Sequence, residues 1–378
     1  MPSEPKHRLI SRQLLTEIAA GKYSPSGRLP SEAQLVSRFN VARPTVARAL
    51  RDLQDQGLVE RRVGSGSYIR DPSSVSPGAG QRQLGLLIPG LGTTEIFEVI
   101  CGELAALARV HDFSLLWGSG ASPVRPQDAS VEDAEGLCQQ FIQARVSGVF
   151  FAPFEHVLKP EEVNRRLAER LRQAGVAVVL LDRDLGAFPS RSEFDLVGTD
   201  NFAAGYVIAD HLLKLGCRQL IFVAPPHSAP TVGLRVAGAR EAILDRRRPA
   251  PSDFLRVGDP DDLRFVRGLG AGKRLDAVIC ANDRVAALLM RSLARTGVDV
   301  PRDVRVVGFD DVRFATLLSV PLTTMHQPCR EVAVTAFRAM QDRISDPGLP
   351  PRGFVVPAGL VVRESCGAYL PGRVDLVE

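Results

Sequence analysis

The sequence predicts a multidomain chain: a small helical head ending in a two-stranded hairpin, then a much larger α/β body built on two sheets. Three observations carry that prediction. Positive charge is concentrated at the start, where residues 1–70 hold twelve Lys/Arg against six Asp/Glu and the remainder holds 35 against 37. The stretch 71–82, Asp-Pro-Ser-Ser-Val-Ser-Pro-Gly-Ala-Gly-Gln-Arg, has no hydrophobic period and is rich in Pro, Gly and Ser, as a flexible tether is. From 83 onward short β-rich runs alternate with amphipathic helices, which demands parallel sheets covered on both faces. A chain of 378 residues also exceeds one ordinary core.

The head opens with a helical face of Ile10, Leu14 and Ile18, and Gly21 ends it before the turn cluster 23–27. Ser31 is a natural N-cap, and Gln34 three residues later completes a capping box. Leu35, Val36 and Phe39 give the second helix its buried face, and Asn40-Val41 forms a tight turn. The third helix begins near Ala42, with Pro44 in the first turn, where a missing N–H costs nothing. Val46, Leu50 and Leu53 face inward, leaving Arg43, Thr45, Arg48 and Arg51 off the apolar stripe. Gly57 stops that helix; 58–62 and 67–70 read as strands joined by Val63-Gly64-Ser65-Gly66. This is a winged helix-turn-helix, and its charge suits a polyanion. Its third helix can enter a DNA major groove N-terminus first, presenting Arg43 and Thr45 to phosphates and base edges. The glycine-rich hairpin tip has no bulk to keep its backbone from the duplex.

The run L-P-S-E-x-x-L-x-x-x-F-x-V-x-R-x-T-V-x-x-A-L, followed by G-L-V-E and G-S-G-S-Y, resembles the GntR family of bacterial transcription regulators. The resemblance carries Arg43, Thr45, Gly64 and Gly66 onto matching positions. With Ser31, Glu32, Pro44, Ser65 and Arg48 beside them, these are the residues expected to contact double-stranded operator DNA, although Arg48 stands one step from the family's arginine and points about 100° away from it. Two positions depart from the family. Ala33 stands where many members carry a basic residue, and Ala47 where many carry arginine, so no operator sequence carries over.

In the body, strands are expected at 84–88, 113–117, 149–152, 176–181, 220–223, 277–280 and 304–309. Helices are expected around 96–107, 133–145, 161–174, 200–215, 232–244 and 283–296. Gly90-Leu91-Gly92 lacks the third glycine of a dinucleotide fingerprint, and Gly272-Lys273-Arg274 lacks the rest of a phosphate loop. Neither G-x-S-x-G nor H-E-x-x-H occurs, so binding without chemistry is expected, with no catalytic residue, metal ligand or cofactor. The six cysteines are scattered without C-x-x-C spacing and read as isolated reduced thiols, mostly inside the fold.

Three segments carry a second resemblance: Val197-Gly198-Thr199-Asp200-Asn201, Arg235-Val236-Ala237-Gly238, and Ala277 to Asp283 leading into V-P-x-D-V-x-V-V-G-F-D-D at 300–311 and P-L-T-T at 321–324. Together they resemble the effector domain of LacI-type regulators, which is similar to periplasmic sugar-binding proteins. The resemblance implies a two-lobed α/β domain over 83–370, with an N-lobe of roughly 83–189 and 327–350 and a C-lobe of roughly 190–326 and 351–370. The combination of head and body resembles the arabinose-repressor type of regulator.

It further implies a small-molecule effector, of sugar type, held between the lobes by Asp182, Arg235, Asn282, Asp310 and Gln327, with 90–94 lining the N-lobe side. Each has a structural alternative. Asp310 could cap the turn after its strand, and Asn282 could cap a helix with Asp283. Arg235 could serve an interlobe ion pair, Asp182 competes with Arg183 and Asp184, and Gln327 could bond only to backbone. The aromatic that several relatives stack on the ligand is missing near 258–260, so Phe97, Phe154 or Trp117 would have to supply it, Trp117 reading rather as core.

The expected protein is a homodimeric DNA-binding repressor released by its effector, with no membrane span and no apolar signal core at Met1–Lys6, hence cytoplasmic. Two other functions stay open: an architectural DNA binder without effector, and an enzyme fused to a GntR-type head.

Overall fold

A computed structural model describes residues 10, 14, 29–39, 41–55, 59–62, 66–69, 82–89, 95–117, 131–155, 157–247, 251–270 and 275–370. The chain divides into two compact units, Met1–Gln81 and Arg82–Glu378.

In the first unit, α1 (Glu32–Phe39) and α2 (Arg43–Asp55) precede an antiparallel hairpin of β1 (Val59–Arg62) and β2 (Gly66–Ile69). Ile10 and Leu14 are helical and pack with Leu29, Leu35, Val46, Ala49 and Leu50. The rest of the expected first helix, and the hairpin tip with Gly64 and Ser65, lie outside the described residues.

The second unit has two six-stranded sheets. The first is built from β3 (Arg82–Leu87), α3 (Glu95–Val110), β4 (Phe113–Trp117), α4 (Val131–Gln143), β5 (Gly148–Phe151), α5 (Pro160–Gln173), β6 (Ala177–Leu181) and β7 (Asp195–Thr199), joined later by α10 (Cys329–Ser345) and β13 (Gly353–Val356). Its order is β13-β7-β6-β5-β3-β4, parallel throughout. Successive strand residues point to opposite faces. Leu84, Leu86, Phe150, Val179 and Leu181 therefore pack with α3 and α10, while Leu87, Val149, Phe151, Val178 and Leu180 pack with α4 and α5. Strands buried on both faces read as continuous apolar runs, which is why they were visible in the sequence.

The second sheet holds α6 (Asn201–Lys214), β8 (Leu220–Ala224), α7 (Pro230–Asp245), β9 (Leu255–Val257), α8 (Leu263–Leu269), β10 (Ala277–Cys280), α9 (Asp283–Arg295), β11 (Arg305–Asp310), β12 (Thr323–His326) and β14 (Gly359–Val361). Its order is β14-β12-β11-β10-β8-β9, with only β14 antiparallel. The chain thus passes between the sheets three times: β7 to α6, β12 to α10, and β13 to β14.

The crossovers correct the expected lobe boundaries. Residues 195–199 and 353–356 belong to the first sheet, because β7 pairs with both β6 and β13. Asp195 fixes this corner. It is fully buried, with Arg343 Nη2 at 2.9 Å and Arg352 Nη2 at 3.0 Å. Burial opposes its charge, but hydrogen bonds from both arginines outweigh that and hold its carboxyl below the usual carboxylate range.

The Arg235-to-Gly238 motif acquires a packing reason. A Cβ on Gly238 would lie 1.9 Å from the Phe202 carbonyl oxygen, and one on Gly205 would lie 2.0 Å from the Arg235 carbonyl oxygen. Helices α6 and α7 therefore cross backbone against backbone. That approach brings the Arg235 side chain within 2.7 Å of Asn201 at the start of α6.

Candidate operator and effector sites

The head presents its expected groups at the start of two helices. Ser31 N–H donates to Gln34 Oε1 at 2.8 Å and Gln34 N–H donates to Ser31 Oγ at 3.3 Å, the reciprocal pair of a capping box. Arg43 and Arg48 are exposed on α2, as is Pro44 in its first turn, while Thr45 is half-buried. Arg43 Nε lies 3.2 Å from Glu32 Oε2, tying the N-termini of α1 and α2 together. The pair restrains Arg43 only weakly, since its side chain is 78% exposed. Gly66 opens β2 opposite Arg62.

The effector candidates converge where the C-terminal ends of strands from both sheets meet, the place where open parallel sheets bind ligands. Asp182 follows β6, Asn282 follows β10, Asp310 ends β11 and Gln327 follows β12. Gln327 spans the two lobes. Its Nε2 donates to Asp310 Oδ1 at 2.7 Å, and its Oε1 accepts from the Thr199 hydroxyl at 3.0 Å. Its bonds are thus not confined to backbone.

Arg235 is buried. Its Nε donates to Asn201 Oδ1 and its Nη1 to the Ala281 carbonyl, each at 2.7 Å; Nη2 lies 4.0 Å from Asp310 Oδ1, and the guanidinium sits 4.6 Å from the Phe309 ring centroid. Its ion pair lies within the C-lobe rather than between lobes. Asn282 is the N-cap of α9, its Oδ1 accepting from Val285 N–H at 2.9 Å, so the capping alternative holds for its oxygen. Asp184 is spent on its own loop, accepting from the backbone of Leu185 and Ser192 and from Arg191, which leaves Asp182 facing the junction.

The electrostatics follow from this packing. Burial raises Asp310, Arg235 and Gln327 pull it back and Asp182 and Glu155 add to the rise, leaving its carboxyl pushed up to about 6. Burial likewise pushes the Cys329 thiol up to about 12, with Asp310 and Asp182 adding to it. Direct contact joins the lobes at a second point, where Arg313 N–H donates to Glu95 Oε2 at 3.0 Å.

Sequence reasoning weighed Arg183 only as a competitor of Asp182 for the same space, not as a contact in its own right. It is buried, with Glu155 Oε1 at 2.5 Å, Asp182 Oδ2 at 3.4 Å and its guanidinium 5.7 Å from the Phe97 ring. Its Nε makes no hydrogen bond. The readable signal was its place directly after Asp182 at a strand end. Among the aromatics, Trp117 is 60% exposed at the end of edge strand β4, which corrects the core expectation. Phe97 and Phe154 are buried, and the Phe97 ring lies against the Arg183 guanidinium. Residues 90–94 lie outside the described residues.

Fold and site together define a two-domain, ligand-responsive transcriptional repressor, and comparison with known proteins agrees. Residues 7–69 match the model for bacterial regulatory proteins of the gntR family, and residues 209–366 match the periplasmic binding protein-like domain. The chain belongs to the family of bacterial transcription regulators with a LacI-type, periplasmic-binding-protein-like effector domain, here joined to a GntR-type head. It is 24% identical over 375 residues to the arabinose metabolism transcriptional repressor of Geobacillus stearothermophilus, covering 96% of this chain and 97% of that one. It is 30% identical over 289 residues to the transcriptional repressor PurR of Vibrio parahaemolyticus, covering 75% and 81%. Among solved structures, the regulator CelR in complex with cellobiose aligns with a TM-score of 0.64 at 23% identity, over 86% of this chain and 91% of that one. The lac repressor dimer bound to operator aligns with a TM-score of 0.62 at 21% identity, over 86% and 89%. Among the described residues no helix is long and apolar enough to cross a membrane.

Proposed function

We propose that the chain is a cytoplasmic homodimeric repressor that leaves its operator when a neutral sugar occupies the space between its lobes. The observation that carries the sugar reading is the charge state of the junction. Both arginines there already have carboxylate partners: Arg183 is paired with Glu155 and Asp182, and Arg235 faces Asp310. A phosphate or carboxylate would have to compete with these internal anions, whereas hydroxyls can donate to Asp182 and Asp310 and accept from the arginines. Asn282 supplies its amide NH2, and Gln327 couples the occupant to the crossover. The names of relatives support the class: one is an arabinose metabolism repressor, and one structural neighbour is a cellobiose complex.

On the DNA side, Ser31, Glu32, Arg43, Pro44, Thr45 and Arg48 form the duplex-facing surface together with the wing 64–66. Two heads read two half-sites of a roughly palindromic operator, and phosphate contacts make affinity fall with salt. The chain acts by binding, not by catalysis. The test is a mobility shift of full-length protein on its own promoter region, with and without L-arabinose, D-ribose, cellobiose and nucleosides. Release by a sugar is expected. Specific DNA binding that none of these alters would sink the switch, and a monomer at micromolar concentration would sink the dimer.

A further inference from the structure

Asp283 is fully buried one residue beyond Asn282. Its Oδ1 accepts from the Thr324 hydroxyl at 2.6 Å, and its Oδ2 accepts from Val312 N–H at 3.0 Å. A Cβ on Gly308 would lie 2.3 Å from that Oδ1, so the carboxyl fills the space that the glycine leaves. Capping does not explain it, because Asn282 already accepts from Val285 N–H. Nor does packing, since an apolar side chain would fill the volume without burying a carboxyl.

The location of its two partners explains it better. Val312 lies two residues past Asp310, and Thr324 lies three before Gln327. Asp283 itself opens the helix that Asn282 caps. One carboxyl therefore ties together three elements, and each carries an effector residue. The turn it holds needs holding. Asp310 has φ of 113° and Asp311 has φ of 58°, successive left-handed positions that persist only where surroundings over-determine them.

We infer that Asp283 is a positioning residue of the effector site, fixing Asn282, Asp310 and Gln327 relative to one another without touching the effector. The inference rests on the effector reading above. Its electrostatic surroundings agree with a strut rather than a ligand group. Burial pushes Asp283 up to about 8, and Asp310 and Asp311 push the same way against Thr324 and Val312. Cys280 on β10 faces it too, while Arg235 offsets Asp310 and Arg363 and His326 bond Asp311.

The experiment uses the full chain with L-arabinose, D-ribose and cellobiose as probes in calorimetry, with amide exchange read on residues 308–313 and 323–327. Two variants are compared. Asp283→Asn sets an amide NH2 against a donor, and Thr324→Val removes one hydroxyl while keeping its shape. For any probe that binds the wild type, Asp283→Asn should weaken it by about tenfold or more and Thr324→Val by about threefold. Exchange in both segments should speed up. The fall in melting temperature of the sugar-free protein between about pH 5 and 8 should flatten only in Asp283→Asn. Folded variants with wild-type affinity and wild-type exchange overturn the inference. If Asp283→Asn does not fold, Thr324→Val decides. If no probe binds the wild type, the sugar reading fails, and exchange alone decides the positioning role.

Discussion

Asp310 stands between Gln327 Nε2 at 2.7 Å and Arg235 Nη2 at 4.0 Å, so its carboxylate is aimed and partly neutralised before any ligand arrives. Asp310→Ala should abolish the effector response while operator binding in a mobility shift persists; an unchanged response would put the pocket elsewhere. Its acidity gives a second expectation. With its carboxyl pushed up to about 6, lowering the pH through that value protonates it and removes an acceptor, so sugar affinity should drop on the acid side. Folding stability runs the other way. A carboxyl raised on folding contributes stability that is complete below its unfolded value and is lost as pH rises through about 6. On the head, Ser31→Ala removes one half of the capping box and should cost about 1 kcal/mol, read as a lower melting point. Spacing alone made that box legible, because both of its bonds are local. Arg183 was legible only as a competitor of Asp182 for the same space; its pairing with Glu155, 28 residues distant, is set 2.5 Å apart by the fold alone. Trp117 misled for a related reason: a tryptophan closing an apolar run looks like core, and only strand order shows that β4 is an edge.

At the scale of elements, the long strands and helices were readable because each buries a periodic or continuous apolar face. β13 and β14 were not: unlike the similarly short β5 and β10, which are buried throughout, they mix exposed with half-buried positions, and they exist because β7 and β12 offer them free edges. Misplacing the lobe boundary followed directly, since β7 and β13 pair across more than 150 positions of sequence. The Asp195 corner that holds them is testable. Asp195→Asn leaves Arg343 and Arg352 without their buried counter-charge and should destabilise the body by about 3–5 kcal/mol in denaturant melts. The crossing of α6 and α7 is equally intolerant. Gly238→Ala places a methyl 1.9 Å from a backbone oxygen that cannot step aside, so about 3 kcal/mol or more should be lost, with Arg235 displaced from Asn201.

For the whole molecule, the two compact units divide the work: one carries the groups for DNA, and the other gathers five candidate contacts for a small molecule from across the lobes. Binding only to the folded body must raise its melting temperature, so a stabilising sugar should be visible in a thermal-shift screen. The Glu95–Arg313 contact and the Gln327 bridge are the points at which such a sugar could bias one lobe arrangement over another, and a bias of about 1–3 kcal/mol suffices for a switch. The division after Gln81 has a further consequence for how such proteins diversify and can be engineered. Separate family models match the head (7–69) and the body (209–366), so the seam joins two units each recognisable on its own. Recombination at that seam can rewire which gene answers to a given metabolite without redesigning the pocket. The same cut, made in the laboratory, would turn residues 82–378 into a portable sensing cassette.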